Sequence, residues 1–79
     1  MDKIKKILSG YKGAEIKSVS CKDNVTGGMW LWVKAMMTPR QMKLAATKIL
    51  KKYKDIDGVH FEGSWLNYIY TRETLKRAE

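Results

Sequence analysis

Apolar and polar positions alternate along the chain with two distinct periods, and the changes of period mark the elements. At the amino end Ile4, Ile7 and Leu8 recur at i, i+3 and i+4 with lysines between them. This predicts one or two turns of amphipathic helix over 2–9, too short to persist without docking. Gly10 and Gly13 interrupt it. Residues 14–22, AEIKSVSCK, have strand composition, but Ile16 and Val19 fall on opposite faces of an ideal strand. A β-bulge or an edge position would reconcile them. DNVTGG at 23–28 reads as a turn.

The period is cleanest in MWLWVKAMM, residues 29–37. Met29, Leu31, Val33 and Ala35 take one face of a strand; Trp30, Trp32, Lys34 and Met36 take the other. At Thr38 the period changes to that of a helix. Thr38 suits the N-cap, Pro39 loses nothing at the first helical position, and Gln41 completes a T-x-x-Q capping box. Met42, Ala45, Ala46, Ile49, Leu50 and Tyr53 then form one broad apolar stripe. DIDG at 55–58 is expected to end the helix. VHFE (59–62) and WLNYIYT (65–71) should form a hairpin about a Gly63–Ser64 turn, and RETLKRAE (72–79) a short polar helix or frayed tail held by Leu75.

The predicted order is α-β-β-α-β-β, with a short last helix an open option. This describes a single α+β domain over 1–79: a mostly antiparallel four-stranded sheet with one main amphipathic helix on one face. Length permits one thin core, and 44% hydrophobic content with eight aromatic residues argues against disorder. The lone Cys21 excludes an internal disulfide and fits a reducing, cytoplasmic setting. No apolar run approaches the ~20 residues needed to cross a bilayer, and residues 1–10 lack the features of a secretory signal. No membrane partner is expected.

Charge changes the picture most. The net charge is +8, unevenly spread. Residues 38–54 hold Arg40, Lys43, Lys48, Lys51, Lys52 and Lys54 and no acid, whereas 55–79 hold three basic residues against five acids. On the helix, Arg40, Lys43, Lys51 and Lys54 lie opposite the apolar stripe, with Lys48 and Lys52 on a flank. A face that only needs solvation commonly mixes signs, because Glu/Lys pairs at i, i+4 contribute a few tenths of a kcal/mol each. Six like charges repel instead. Such a ridge suits phosphate, where neutralised charges release condensed counterions, or an acidic protein surface.

The expected function is therefore a non-catalytic basic module that docks on DNA or RNA through phosphate contacts of Arg40, Lys43, Lys48, Lys51, Lys52 and Lys54. Trp30, Trp32, Trp65, Tyr68 and Tyr70 could add contacts to unpaired bases if their sheet face is open. Two alternatives stay open. In size and compactness the chain resembles small phage- and mobile-element-encoded inhibitors or adaptors, anti-CRISPR proteins among them, which bind protein or ribonucleoprotein complexes. A third option is a small ribonuclease toxin. Its acid–base pair would be His60 and Glu62, two residues apart on one strand face and supported across the hairpin by Tyr68, Tyr70 or a lysine. No cofactor is expected, and one histidine far from one cysteine has no metal-ligand spacing. An open sheet edge leaves pairing of two copies into a homodimer a further option.

Overall fold

The change of period at Thr38 is where the fold turns from sheet to helix. The computed structural model describes residues 2–23, 28–63 and 67–77. Along the chain run α1 (Asp2–Ser9), β1 (Glu15–Asp23), β2 (Met29–Met36), α2 (Pro39–Lys52), β3 (Ile56–Glu62), β4 (Asn67–Thr71) and α3 (Arg72–Arg77). The strands form one sheet in the order β1-β2-β3-β4. The outer pairs are antiparallel and the central β2–β3 pair is parallel, so α2 is the crossover that a parallel neighbour requires. The predicted α+β order is the observed one, and the sheet is mixed.

Helix α2 begins as the sequence predicts. The Gln41 amide donates to Thr38 Oγ1 and the Thr38 amide to Gln41 Oε1, each at 3.1 Å. The Gln41 side-chain amide also donates to the Lys12 carbonyl at 2.8 Å, tying the helix start to the loop before β1. Met42, Ala45, Ala46, Ile49 and Leu50 are buried along the inner stripe. They meet Leu31, Val33 and Ala35 of β2 and Ile56, Val59 and Phe61 of β3. Ile4 and Leu8 of α1 and Leu75 of α3 complete the core. Each of the larger fully buried side chains stabilises the fold by about 1.5–3 kcal/mol relative to exposure.

Two bulges adjust the sheet. The β1 register shifts between Ile16 and Ser18, leaving Lys17 unpaired. That extra residue turns Ile16 and Val19 to the same, helix-covered side, which resolves the broken alternation in the sequence. A second shift leaves Asp57 unpaired between Ile56, opposite Met29, and Gly58, opposite Trp30. Residues 56–58 therefore belong to β3 rather than to a helix-ending turn. Asp57 Oδ2 accepts the Met29 amide at 3.2 Å, so its side chain supplies an acceptor that the irregular ladder does not.

The β3–β4 ladder pairs Glu62 with Asn67. A two-residue Gly63–Ser64 turn would have placed Trp65 there, so that register is corrected. Residues 64–66, and positions 24–27 of the predicted 23–28 turn, lie outside the described residues. Helix α3 starts on a reciprocal cap: the Thr71 amide donates to Thr74 Oγ1 at 2.8 Å, and the Thr74 amide to Thr71 Oγ1 at 3.1 Å.

All the helices sit on one side of the sheet, and the other side carries Trp30. A Cβ added at Gly58 would come within 2.7–2.8 Å of three atoms of the Trp30 ring. Gly58→Ala is expected to lift the indole and destabilise the fold by about 1–3 kcal/mol, read as a lower urea midpoint. An unchanged midpoint with unchanged tryptophan emission would contradict that packing.

Candidate nucleic-acid interface

Helix α2 places its cations by the same 3.6-residue period that buries its apolar stripe. Arg40, Lys43 and Lys51 of α2 and Lys54 just beyond its end line one wall of a groove of about 620 Å³, and Arg72 and Lys76 of α3 line the other. Leu50 and Leu75 form its apolar floor, and Leu44 stands half exposed among the cations. Among the described residues no carboxylate lines the groove. Arg72 and Lys76 were missed by the sequence reading because they lie in a segment whose net charge is negative. Docking of α3 against α2 brings them to the groove.

The helix dipole separates the roles of these cations. Lys51 lies in the last turn of α2, where positive charge is favourable by about 0.3–1 kcal/mol. Arg40 and Lys43 lie near the opposite end, whose first turn contains no acid. Positive charge there opposes the dipole and lowers helix stability. Those amides and cations together attract an anion.

Arg72 has a structural task as well. Its Nη2 donates to the Leu50 carbonyl at 2.7 Å and the Tyr53 carbonyl at 3.0 Å, while Nη1 lies 3.9 Å from Asp57 Oδ1. It thereby satisfies carbonyls at the carboxyl end of α2, which have no intrahelical donor. Arg72 and Asp57 form an ion pair among the described residues, and it involves none of the five α2 cations nor Lys54.

The six predicted ridge cations divide into two groups. Lys48 and Lys52 do not line the groove. The Lys48 ammonium lies 6.0 Å from the Tyr11 ring and that of Lys52 5.8 Å from the Tyr53 ring. Burial raises the Tyr11 phenol above its ordinary value.

The aromatic set divides between the faces of the sheet. Tyr68 pairs with Phe61 and Tyr70 with Val59, so both point to the helix side; their rings are stacked at 6.5 Å and both pack on the core. Burial is the larger cause raising the Tyr70 phenol, with the Tyr68 charge second. Trp30 and Trp32 lie on the opposite face with Lys34. These tryptophans therefore do not extend the cationic groove, and Tyr68 and Tyr70 offer no platform beside them. Trp65 lies outside the described residues.

Of the His60 constellation, His60 and Glu62 share a strand face while Tyr68 and Tyr70 do not join them. His60 packs against Trp32 with ring centroids 4.0 Å apart, and its Nε2 is buried without a hydrogen-bond partner. Its neighbour across the hairpin is Ile69, while the tyrosines lie behind the sheet. Glu62 shares its face but is exposed. Among the described residues no three His, Cys, Asp or Glu gather as metal ligands, and no helix is long and apolar enough to cross a membrane.

Arg72→Ala should free the carboxyl end of α2 and destabilise the domain by about 1–2 kcal/mol in urea unfolding, because Arg72 is partly exposed and water replaces some of the lost contact. Arg72→Lys should not restore that stability, since one ammonium lacks the guanidinium fork that reaches both carbonyls. Wild-type stability in the lysine variant would refute the capping role. Comparison of this chain with protein-family models, curated proteins and solved structures gives no significant match.

Proposed function

We propose that this protein is a non-catalytic basic module that docks on nucleic acid through phosphates held in the α2–α3 groove. The observation that carries the reading is a groove with an apolar floor that, among the described residues, is lined by six cations and no carboxylate. Arg72 is engaged with Asp57 and two carbonyls, which leaves Arg40, Lys43, Lys51, Lys54 and Lys76 for phosphate. Such contacts fix position on a backbone and carry no base information, so this surface binds with little sequence preference.

Leu44 supports a second reading. An exposed leucine framed by cations also fits an acidic protein surface with an apolar anchor, as an inhibitor or adaptor of a protein or ribonucleoprotein complex would use. The two readings separate in one titration against labelled duplex DNA at about 50 and 200 mM salt. Neutralising four to five phosphates predicts a log–log salt slope between about −3.5 and −4.5. Absence of binding at the lower salt replaces nucleic acid with a protein partner.

Charge reversal locates the surface. Lys51→Glu with Lys54→Glu should make the slope shallower by about two and weaken binding, with helical circular dichroism unchanged. Lys48→Glu with Lys52→Glu makes the same charge change away from the groove and should alter the slope little. Equal effects of the two double variants would mean that net charge alone governs binding, and the groove assignment would fail.

A further inference from the structure

The sheet face turned away from the helices has features that solvation alone does not explain. A Cβ at Gly58 would lie 2.7, 2.8 and 2.8 Å from Cζ3, Cε3 and Cη2 of Trp30. Near-equal distances to three consecutive ring atoms place that point above the ring plane, since an approach along the edge would bring one atom much closer than its neighbours. One face of the indole thus rests on backbone at Gly58. The other is turned away from the sheet, and no described helix covers it.

Two positions along β2, about 6.6 Å away, Trp32 carries the Lys22 ammonium 5.0 Å from its ring centre. Beside it is a hollow of about 140 Å³ walled by Ser18, Ser20, Lys22, Lys34 and Glu62. A flat ring and a small polar hollow with two cations therefore adjoin. The net charge of +8 opposes a second copy on this face and favours an anion. An apolar protein partner would have no use for two lysines and two serines in the hollow. A nucleotide uses both parts: a base for the ring, a sugar and phosphate for the hollow. Glu62 repels phosphate, but as a carboxylate it accepts a hydrogen bond from a hydroxyl, which ribose offers and deoxyribose lacks.

The geometry points to single-stranded RNA as the occupant of this face. A base stacks on the outer face of Trp30, Lys22 and Lys34 hold the adjoining phosphate, and the ribose 2′-hydroxyl donates to Glu62. This surface lies across the sheet from the α2–α3 groove and does not rest on it. A chain with both surfaces holds two nucleic-acid segments at once.

The test uses the full chain carrying Lys51→Glu and Lys54→Glu, which weakens the groove and leaves it only phosphate contacts that do not distinguish the two sugars, with labelled oligouridylate and oligodeoxyuridylate of equal length. Oligouridylate should bind at least about tenfold tighter than its deoxy counterpart, the scale of one hydrogen bond to a charged group. Glu62→Ala should bring that ratio close to one. Trp30→Ala should weaken oligouridylate binding by about 5- to 150-fold, the range for one base stacked on an aromatic ring, while Trp30→Phe retains most of it. Should Trp30→Ala fail to fold, the phenylalanine and Glu62 variants carry the test. Equal binding of the two oligomers overturns the assignment to RNA, as does failure of both to bind. A dimer by sedimentation that Trp30→Phe weakens would make this face a self-interface and also overturn it.

Discussion

The seating of α2 on the two central strands is the contact on which the other features depend. Met42, Ala45, Ala46, Ile49 and Leu50 fill the space above Leu31, Val33, Val59 and Phe61, all buried. Because β2 and β3 run parallel, the chain must cross from the end of one to the start of the other, and α2 makes that crossing while covering the core. A chain of 79 residues has one core with which to offset the conformational entropy lost on folding. Loss of this contact would remove the parallel pair, the support for both flanking helices and the ordered spacing of the cations together.

That seating also determines where charge can accumulate. With the inner stripe committed to the sheet, the lysines of α2 must face outward, and α3 docks alongside to close a groove rather than leave a ridge. Arg72 joins the two elements: it caps α2, pairs with Asp57 and lines the same groove. Asp57 reaches Arg72 from a bulge that also captures the Met29 amide. Helix end, sheet irregularity and cationic surface are thus physically coupled. This arrangement gives the groove a firm wall, while Lys51, Lys54 and Lys76 stay outside the Arg72–Asp57 pair.

The two sides of the sheet are chemically unlike. One is a dry core containing Tyr68 and Tyr70 at its margin. The other bears Trp30, Trp32, Lys22 and Lys34, with Ile69 about half exposed. A sheet with helices on a single side leaves its second face to water or to a partner, and rings laid on Gly58 and His60 lower the cost of that exposure.

Local signals in the sequence determined the elements. Thr38, Pro39 and Gln41 set the start of α2 because capping chemistry acts within four residues. The strict alternation of 29–36 set the faces of β2, and the failed alternation at Ile16 and Val19 pointed to a bulge or an edge position, both of which β1 has. The outward charge on α2 followed from its helical period. Tertiary structure alone decided what those elements face. The strand character of Ile56–Gly58 was hidden in a turn-like DIDG, since pairing with β2 supplies the stabilisation that local propensity lacks. The division of Lys48 and Lys52 from the groove, the recruitment of Arg72 and Lys76, and the separation of the tyrosines from the tryptophans all depend on contacts between residues distant in sequence. A period places a side chain on a face of its own element; only packing determines which other element shares that face.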